Sequence, residues 1–228
     1  MTENKNKIVF VVNPISGTHG KKAILKWIEE RIDCSVHEYS IVRTEYAGHA
    51  TQIAATAVRE GVNMVVAIGG DGTINEIARS LVHTDTALGI IPCGSGNGLA
   101  RHLRIPMEPK AAIDVINSNH RLCIDYGKIN NVPFFCTCGV GFDAFVSLKF
   151  ADSGKRGLLT YLENTLHESL TYQPETYEIE NEEGTMKFKA FLIACGNASQ
   201  YGNNAYIAPQ ASLTDGLMDV TILQPFTV

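Results

Sequence analysis

A chain of 228 residues, 45% of them hydrophobic, is long enough to bury a core as one large domain or two small ones, and this excludes a disordered protein. Its formal net charge is −5, with Lys5, Lys7, Lys21 and Lys22 scattered among polar neighbours, so no basic surface recommends a nucleic-acid partner. The apolar run IVFVV is too short for a signal core, and no segment approaches the ~20 apolar residues of a membrane span; a cytoplasmic protein that meets a membrane only from its surface is expected.

In chain order, IVFVV (8–12) leads through NPISGTHG into KKAILKWIEERI, where Ile24, Leu25, Ile28 and Ile32 recur at helical spacing, which predicts strand, loop and helix. CSVHEYSIV (34–42) reads as a strand, and AGHATQIAATAVREG (47–61) as a helix with Gly61 at its C-terminal end. NMVVAI (63–68) is apolar throughout, as a strand buried on both faces must be. TINEIARSLV follows as helix, ALGII (87–91) as strand, and NGLARHL and PKAAIDVIN as helices separated by Pro106 and Pro109. This alternation predicts a doubly wound parallel α/β sheet up to about residue 120.

Beyond Asn119 the texture changes. RLCIDYGKI, VPFFCTCGV, ETYEIENEEG, TMKFKAFLIACGN and GLMDVTIL read as strands, interrupted by one predicted helix near 157–170. The expected organisation is a nucleotide-binding α/β domain over 1–120 and a mostly antiparallel β domain over 121–228. Cys34, Cys93, Cys123, Cys136, Cys138 and Cys195 lack the paired spacing of a zinc site and mostly lie in apolar runs, so buried, reduced thiols are expected.

Candidate chemistry lies in loops that leave strands at their carboxyl ends, where open α/β sheets bind ligands. The first is Asn13, Pro14, Ile15, Ser16 and Gly17; the second is Gly69, Gly70, Asp71, Gly72 and Thr73; the third runs PCGSGNG from Pro92 to Gly98. Glycine lets backbone N–H groups approach a phosphate without a Cβ in the way, and a helix starting just after adds the positive end of its dipole. Together these loops point to a polyphosphate. Asp71, with glycine on both sides, is expected to face what the glycines admit, and a phosphate-bound Mg²⁺ is its natural partner. Thr73 with Glu76 three residues on forms a capping-box pattern, so both are also expected to start the helix. There is no G-x-x-x-x-G-K-[ST]. Gly139-Val140-Gly141-Phe142-Asp143-Ala144 matches G-x-G-x-x-G/A, but it falls outside the βαβ half and lacks an acid about 20 residues later, so a dinucleotide site is rejected.

The ordered motifs VVNPISG, TxxxGHA (44–50), GGDGTINEI, PCGSGNGLAR, GVGFDA and APQASLTDGLMDV resemble the diacylglycerol kinase catalytic family, which includes YegS-like lipid kinases and sphingosine and ceramide kinases. The resemblance runs from residue 8 to the end. It implies an α/β domain of the NAD kinase and phosphofructokinase type, a β-rich lipid-substrate domain, ATP in the cleft between them, and phosphoryl transfer to a diacylglycerol-like lipid hydroxyl. Carried over by motif, ATP would touch Asn13, Pro14, Ile15, Ser16, Gly17, Thr44, Gly69, Gly70, Asp71, Gly72, Thr73, Ile74, Asn75 and Ser95. Asp143 resembles an acid the family needs for activity, while Asp215 with the carbonyls of Ser212 and Leu217 resembles a structural Mg²⁺ site.

Bacterial members of this family run longer and carry a D-G-E-like motif whose acid is the proposed general base. This sequence stops after a strand at Pro225-Phe226-Thr227-Val228, so truncation and loss of that base are expected, and an exposed sheet edge could promote a homodimer. The stripe Leu158, Leu159, Leu162, Leu166 and Leu170 beside Tyr161 is expected to pack in a core, with guidance of an acyl chain as the alternative. The implied setting is the inner membrane face, approached from the cytoplasm. A NAD kinase would share GGDGT but carry a T-P-T-G-S-T-A-Y-like segment, which is absent; a non-catalytic nucleotide or lipid sensor is the other alternative.

Overall fold

The computed structural model describes residues 5–16, 20–153 and 172–225. The first half forms the strands β1 (Asn6–Val12), β2 (His37–Arg43), β3 (Met64–Gly69) and β4 (Ala87–Pro92), which pair in parallel in the order β2-β1-β3-β4. Between them run α1 (Lys21–Arg31), α2 (His49–Arg59) and α3 (Asp71–Leu81), with α4 (Gly98–His102) and α5 (Pro109–Ser118) after β4.

The period-two geometry of a strand sorts the side chains into two cores. Ile8, Phe10 and Val12 of β1 and Val66 and Ile68 of β3 meet Ile24 and Ile28 of α1 and Ile113 of α5 on one face. Val11, Val65 and Ala67 meet Ala54 of α2 and Ile77 of α3 on the other. All six residues of β3 are buried, which is why its sequence is a continuous apolar run. The parallel three-layer arrangement matches the sequence expectation. Pro109 does not separate helices but opens α5, where Glu108 accepts the Ala111 N–H at 2.8 Å as the cap.

The second half is antiparallel. Strands β7 (Thr137–Gly141), β10 (Leu192–Gly196) and β13 (Asp219–Leu223) form a sheet in the order β13-β10-β7, beside the two-stranded pairs β5 (Gly127–Ile129) with β6 (Val132–Phe134), β8 (Glu175–Asn181) with β9 (Gly184–Ala190), and β11 (Gln200–Gly202) with β12 (Ala205–Tyr206). The expected strand over 121–129 shrinks to β5, because the backbone just before it bonds to loops: Asp125 N–H donates to Leu213 O, and Asp125 O accepts from Asn197 Nδ2.

A helix the sequence did not announce, α6 (Phe142–Ser153), follows β7 directly. Phe142 meets Tyr172 edge-on and Phe191 at a tilt while Leu148 is exposed, so its apolar residues do not mark one face. The helix expected near 157–170, with its leucine stripe and Tyr161, lies outside the described residues. Of the six cysteines only Cys93 is buried; Cys34 and Cys123 are exposed, because each lies in a surface connection rather than a core strand, and Cys136, Cys138 and Cys195 are half-buried. No helix among the described residues is long and apolar enough to cross a membrane.

Candidate functional site

In the strand order β2-β1-β3-β4, the chain leaves β1 toward β2 and leaves β3 toward β4, so β1 and β3 flank a topological switch point. The crevice above their carboxyl ends is where such sheets bind ligands. The loops after both strands meet there: Asn13 Nδ2 donates to Thr73 Oγ1 at 3.0 Å, and Asn13 N–H donates to Ile68 O at 3.2 Å. Asn13 also turns its own loop, accepting the Ile15 N–H at Oδ1 (3.1 Å) and the Ser16 hydroxyl at its carbonyl (3.1 Å). Pro14 and Ile15 stand exposed on that turn, and Gly17 lies outside the described residues. Thr44, one strand over, is held by its N–H to Val12 O at 2.9 Å.

The second loop corrects the capping-box expectation. Helix α3 begins at Asp71, and its N-cap is Gly70, in extended conformation with no side-chain cap. Thr73 therefore sits inside the first turn, its hydroxyl taken by Asn13, while Glu76 Oε2 accepts the Gly48 N–H at 3.2 Å. Two residues already helical before Thr73 leave no room for the box. Ile74 turns into the core at 2% exposed and its N–H donates to Gly70 O, whereas Gly72 is exposed and Asn75 half-buried on the same turn.

Asp71 is not turned into open space. Its Oδ2 accepts the Asn97 N–H and its Oδ1 the Gly98 N–H, each at 2.7 Å, so the second loop holds the start of α4. Burial raises its proton affinity above the ordinary carboxylate range, and the two amides work against that rise. Asn97, in left-handed conformation at the N-cap of α4, clamps the third loop by accepting from Gly94 N–H (2.9 Å) and donating to Gly94 O (2.7 Å).

Packing alone requires some of these glycines. A Cβ on Gly94 would stand 2.7 Å from the Gly70 Cα, and one on Gly96 would stand 2.9 Å from Asp71 Oδ2. The two loops touch backbone to backbone. Gly72, by contrast, has nothing within 4 Å of where a Cβ would stand, and Ser95 is exposed. The first amides of α3 have no intrahelical acceptor, so an open, N–H-lined surface is left at Gly72. Lys21 Nζ, at the start of α1, is buried, and both its charge and a side-chain hydrogen bond act on the Cys93 thiol of the third loop, with no other partner among the described residues. A buried ammonium with only a thiol beside it is costly unless an anion joins it.

The third loop also joins the two halves. Asn203 N–H donates to Gly96 O at 3.0 Å, and β11 lies against α4 so closely that Gly98 has no room for a Cβ beside Gln200 O. From β11, the Tyr201 hydroxyl reaches Asp143 Oδ2 at 3.3 Å. Asp143 lies in the first turn of α6; burial raises its proton affinity, opposed by the Ala144 N–H and the tyrosine. Gly139 and Gly141 of GVGFDA serve this turn: a Cβ on Gly139 would overlap Asp143 Oδ2, and Gly141 has φ +91°. Asn97, Tyr201 and Lys21 were missed in the sequence, because each acquires its role from a partner in another loop.

Ser212, Asp215 and Leu217 lie on the loop before β13, apart from the glycine loops. Asp215 Oδ1 accepts the Leu217 N–H at 3.0 Å, and Asp125 Oδ2 accepts the neighbouring Gly216 N–H at 2.8 Å. Among the described residues no cluster of three or more His, Cys, Asp or Glu side chains could hold a metal. The carboxylates of Asp71 and Asp215 are oxygen donors of the kind that suits Mg²⁺ retaining its waters or riding on phosphates.

Residues 7–129 match the family model described as the diacylglycerol kinase catalytic domain, and residues 136–227 the one described as the YegS C-terminal NAD kinase beta sandwich-like domain. The chain is 32% identical over 218 residues to a probable YegS-like lipid kinase of Chromohalobacter salexigens, spanning 92% of this chain and 70% of that protein. It is 32% identical over 220 residues to a diacylglycerol kinase of Bacillus subtilis, spanning 94% and 72%. A crystal structure of a diacylglycerol kinase from Bacillus anthracis shares the fold, with TM-score 0.77 and 24% identity, over 98% of this chain and 77% of that one.

Proposed function

This chain belongs to the diacylglycerol kinase catalytic family, and from that premise we propose that it is an ATP-dependent lipid kinase, moving the γ-phosphate of ATP to the hydroxyl of a diacylglycerol-like lipid. The observation that carries the reading is the crevice at the β1/β3 switch point, where the glycine loops meet at the exposed amides of Gly72, with the buried Lys21 ammonium beside Cys93 of the third loop. Phosphoryl transfer asks little covalent work of a protein; positioning and charge stabilisation supply most of the rate. Asn13, Ser16, Thr44, Gly69, Gly70, Thr73, Asn75 and Ser95 shape the nucleotide side, and Asp71 keeps the third loop in place through Asn97 and Gly98.

In the transfer, the lipid oxygen bonds to the γ-phosphorus as the bond to the β-bridging oxygen breaks and ADP leaves. The hydroxyl proton goes to a carboxylate, and Asp143 is the acid we assign to it in place of the D-G-E-like acid of longer family members, since burial raises its proton affinity. Tyr201 holds Asp143 and belongs to the strand against the third loop, so it is a positioning residue. Magnesium, when bound, neutralises charge on the phosphates; Asp71 would hold it there, and Asp215 with the Ser212 and Leu217 carbonyls would hold a structural ion. The lipid reaches this cleft from the cytoplasmic membrane surface, and a second copy would pair at β13, an edge strand among the described residues with Val220 53% exposed.

The reading is tested by transfer of label from γ-labelled ATP to diacylglycerol in mixed micelles, with Asp71→Asn and Asp143→Asn in parallel. Transfer that both substitutions leave unchanged would overturn it.

A further inference from the structure

Helix α4 ends in a paired turn: Ile105 N–H donates to Ala100 O at 2.9 Å and Arg104 N–H to Arg101 O at 3.0 Å. In this Schellman arrangement the residue after the cap takes left-handed conformation, and glycine is the usual occupant because it has no Cβ penalty. Here Arg104 occupies it, at φ +56°. A long, charged side chain held in that conformation is strain kept in a local structure that does not need it.

Arg104 borders a depression of about 630 Å³ between α4 and the second half of the chain, lined by Arg101, His102 and Arg104 on one side and by Ser199, Tyr206 and Thr214 on the other. No acidic side chain is among its described lining residues, and neither arginine has an ion pair among the described residues. Among the described residues Arg101 uses only its Nε, donating to Gly96 O at 3.0 Å. His102 Nδ1 accepts the Ser199 N–H at 3.0 Å, so in the neutral ring the proton sits on Nε2 as a further donor. Two guanidinium groups, hydroxyls and an imidazole N–H make a donor-rich concave surface with uncompensated positive charge, in the size range of small-molecule sites.

We propose that this depression is a binding site for a phosphate-class anion, carried by a soluble phosphomonoester or by a lipid headgroup, with Arg101 and Arg104 as its charge partners. Arginine suits it, since its planar fork meets phosphate oxygens two at a time. No residue of the three glycine loops lines it, although Ser212 of the loop before β13 does, and it does not rest on the kinase reading. Through Arg101 it also touches Gly96, so its occupant is one hydrogen bond from the third loop.

The test compares the wild-type protein with Arg104→Gly and Arg104→Lys, by calorimetric titration with glycerol 3-phosphate and by co-sedimentation with phosphatidylcholine vesicles with and without phosphatidic acid. Arg104→Gly places the usual residue in the left-handed turn, so its melting temperature should not fall below wild type. Its affinity should drop about tenfold or more, with Arg104→Lys in between. A loss seen with glycerol 3-phosphate assigns a soluble ligand, and one seen only with phosphatidic acid vesicles assigns a headgroup; both support the site. Phosphate held by the glycine loops instead would be indifferent to Arg104, so binding of both probes unchanged in Arg104→Gly overturns the proposal, as does a wild-type protein that binds neither.

Discussion

Gly72→Ala separates a phosphate cradle from an ordinary helix start. Gly72 lies in the first turn of α3 without positive φ, and a Cβ there meets nothing within 4 Å. Alanine loses less chain entropy than glycine on entering a helix, so the substitution should stabilise the fold by about 0.5–1 kcal/mol, or roughly 1–4 °C in melting temperature for a chain of this size. If the open surface at Gly72 is where a phosphate sits, the same Cβ fills it, and nucleotide affinity should fall by about tenfold, ~1.4 kcal/mol. Gly94→Ala is the contrast: its Cβ would stand 2.7 Å from the Gly70 Cα, so stability and affinity should fall together, by about 1–3 kcal/mol for the fold. The assays are thermal melts and titration with a non-hydrolysable ATP analogue. A Gly72→Ala protein that is more stable yet binds the analogue as tightly as wild type would refute the reasoning.

Burial makes native Asp71 hold its proton more tightly than the unfolded chain, where the value is near 3.8; its contribution to stability is greatest below that pH and declines as pH rises through the native titration. Asp71→Asn should remove this decline from melts run as a pH series, while the misplaced third loop slows transfer by roughly 10²-fold; a slope identical to wild type would count against the burial argument. His37 is 1% exposed with neither ring nitrogen hydrogen-bonded among the described residues, so His37→Leu should raise stability by about 1–3 kcal/mol, and a lower melting temperature would show that the ring has a further partner. Cys138 and Cys195 face each other across β7 and β10, and the hydrogen bond between the thiols favours the Cys195 thiolate, whereas burial pushes the Cys93 thiol up. Iodoacetamide at neutral pH should therefore label Cys195 before Cys93 by mass spectrometry, and the reverse order would contradict the assignment.

The parallel half was legible because burial on both faces writes itself into sequence as unbroken apolar runs, as in MVVAIG of β3. Helix α6 was not, since Phe142 and Phe145 pack on rings from Tyr172 and Phe191, and such contacts leave no periodic stripe. At the site, the loops were legible as glycine clusters at strand ends. Their internal wiring was not: Asp71 meets Asn97 across 26 residues and Tyr201 meets Asp143 across 58, and no local pattern encodes either pair. The Thr73–Glu76 spacing misled because side chains able to cap a helix serve equally to bond neighbouring loops, which is what Asn13 and Gly48 make of them.

The measurement that bears most directly on the account is phosphate transfer from labelled ATP to a panel of diacylglycerol, phosphatidylglycerol, sphingoid base and ceramide, with NAD as a soluble acceptor alongside. The account predicts label in a lipid and none in NAD, with Asp143→Asn lowering the rate by roughly 10²–10⁴-fold at unchanged nucleotide affinity. Label in NAD, or ATP binding with no labelled lipid from any acceptor, would contradict it.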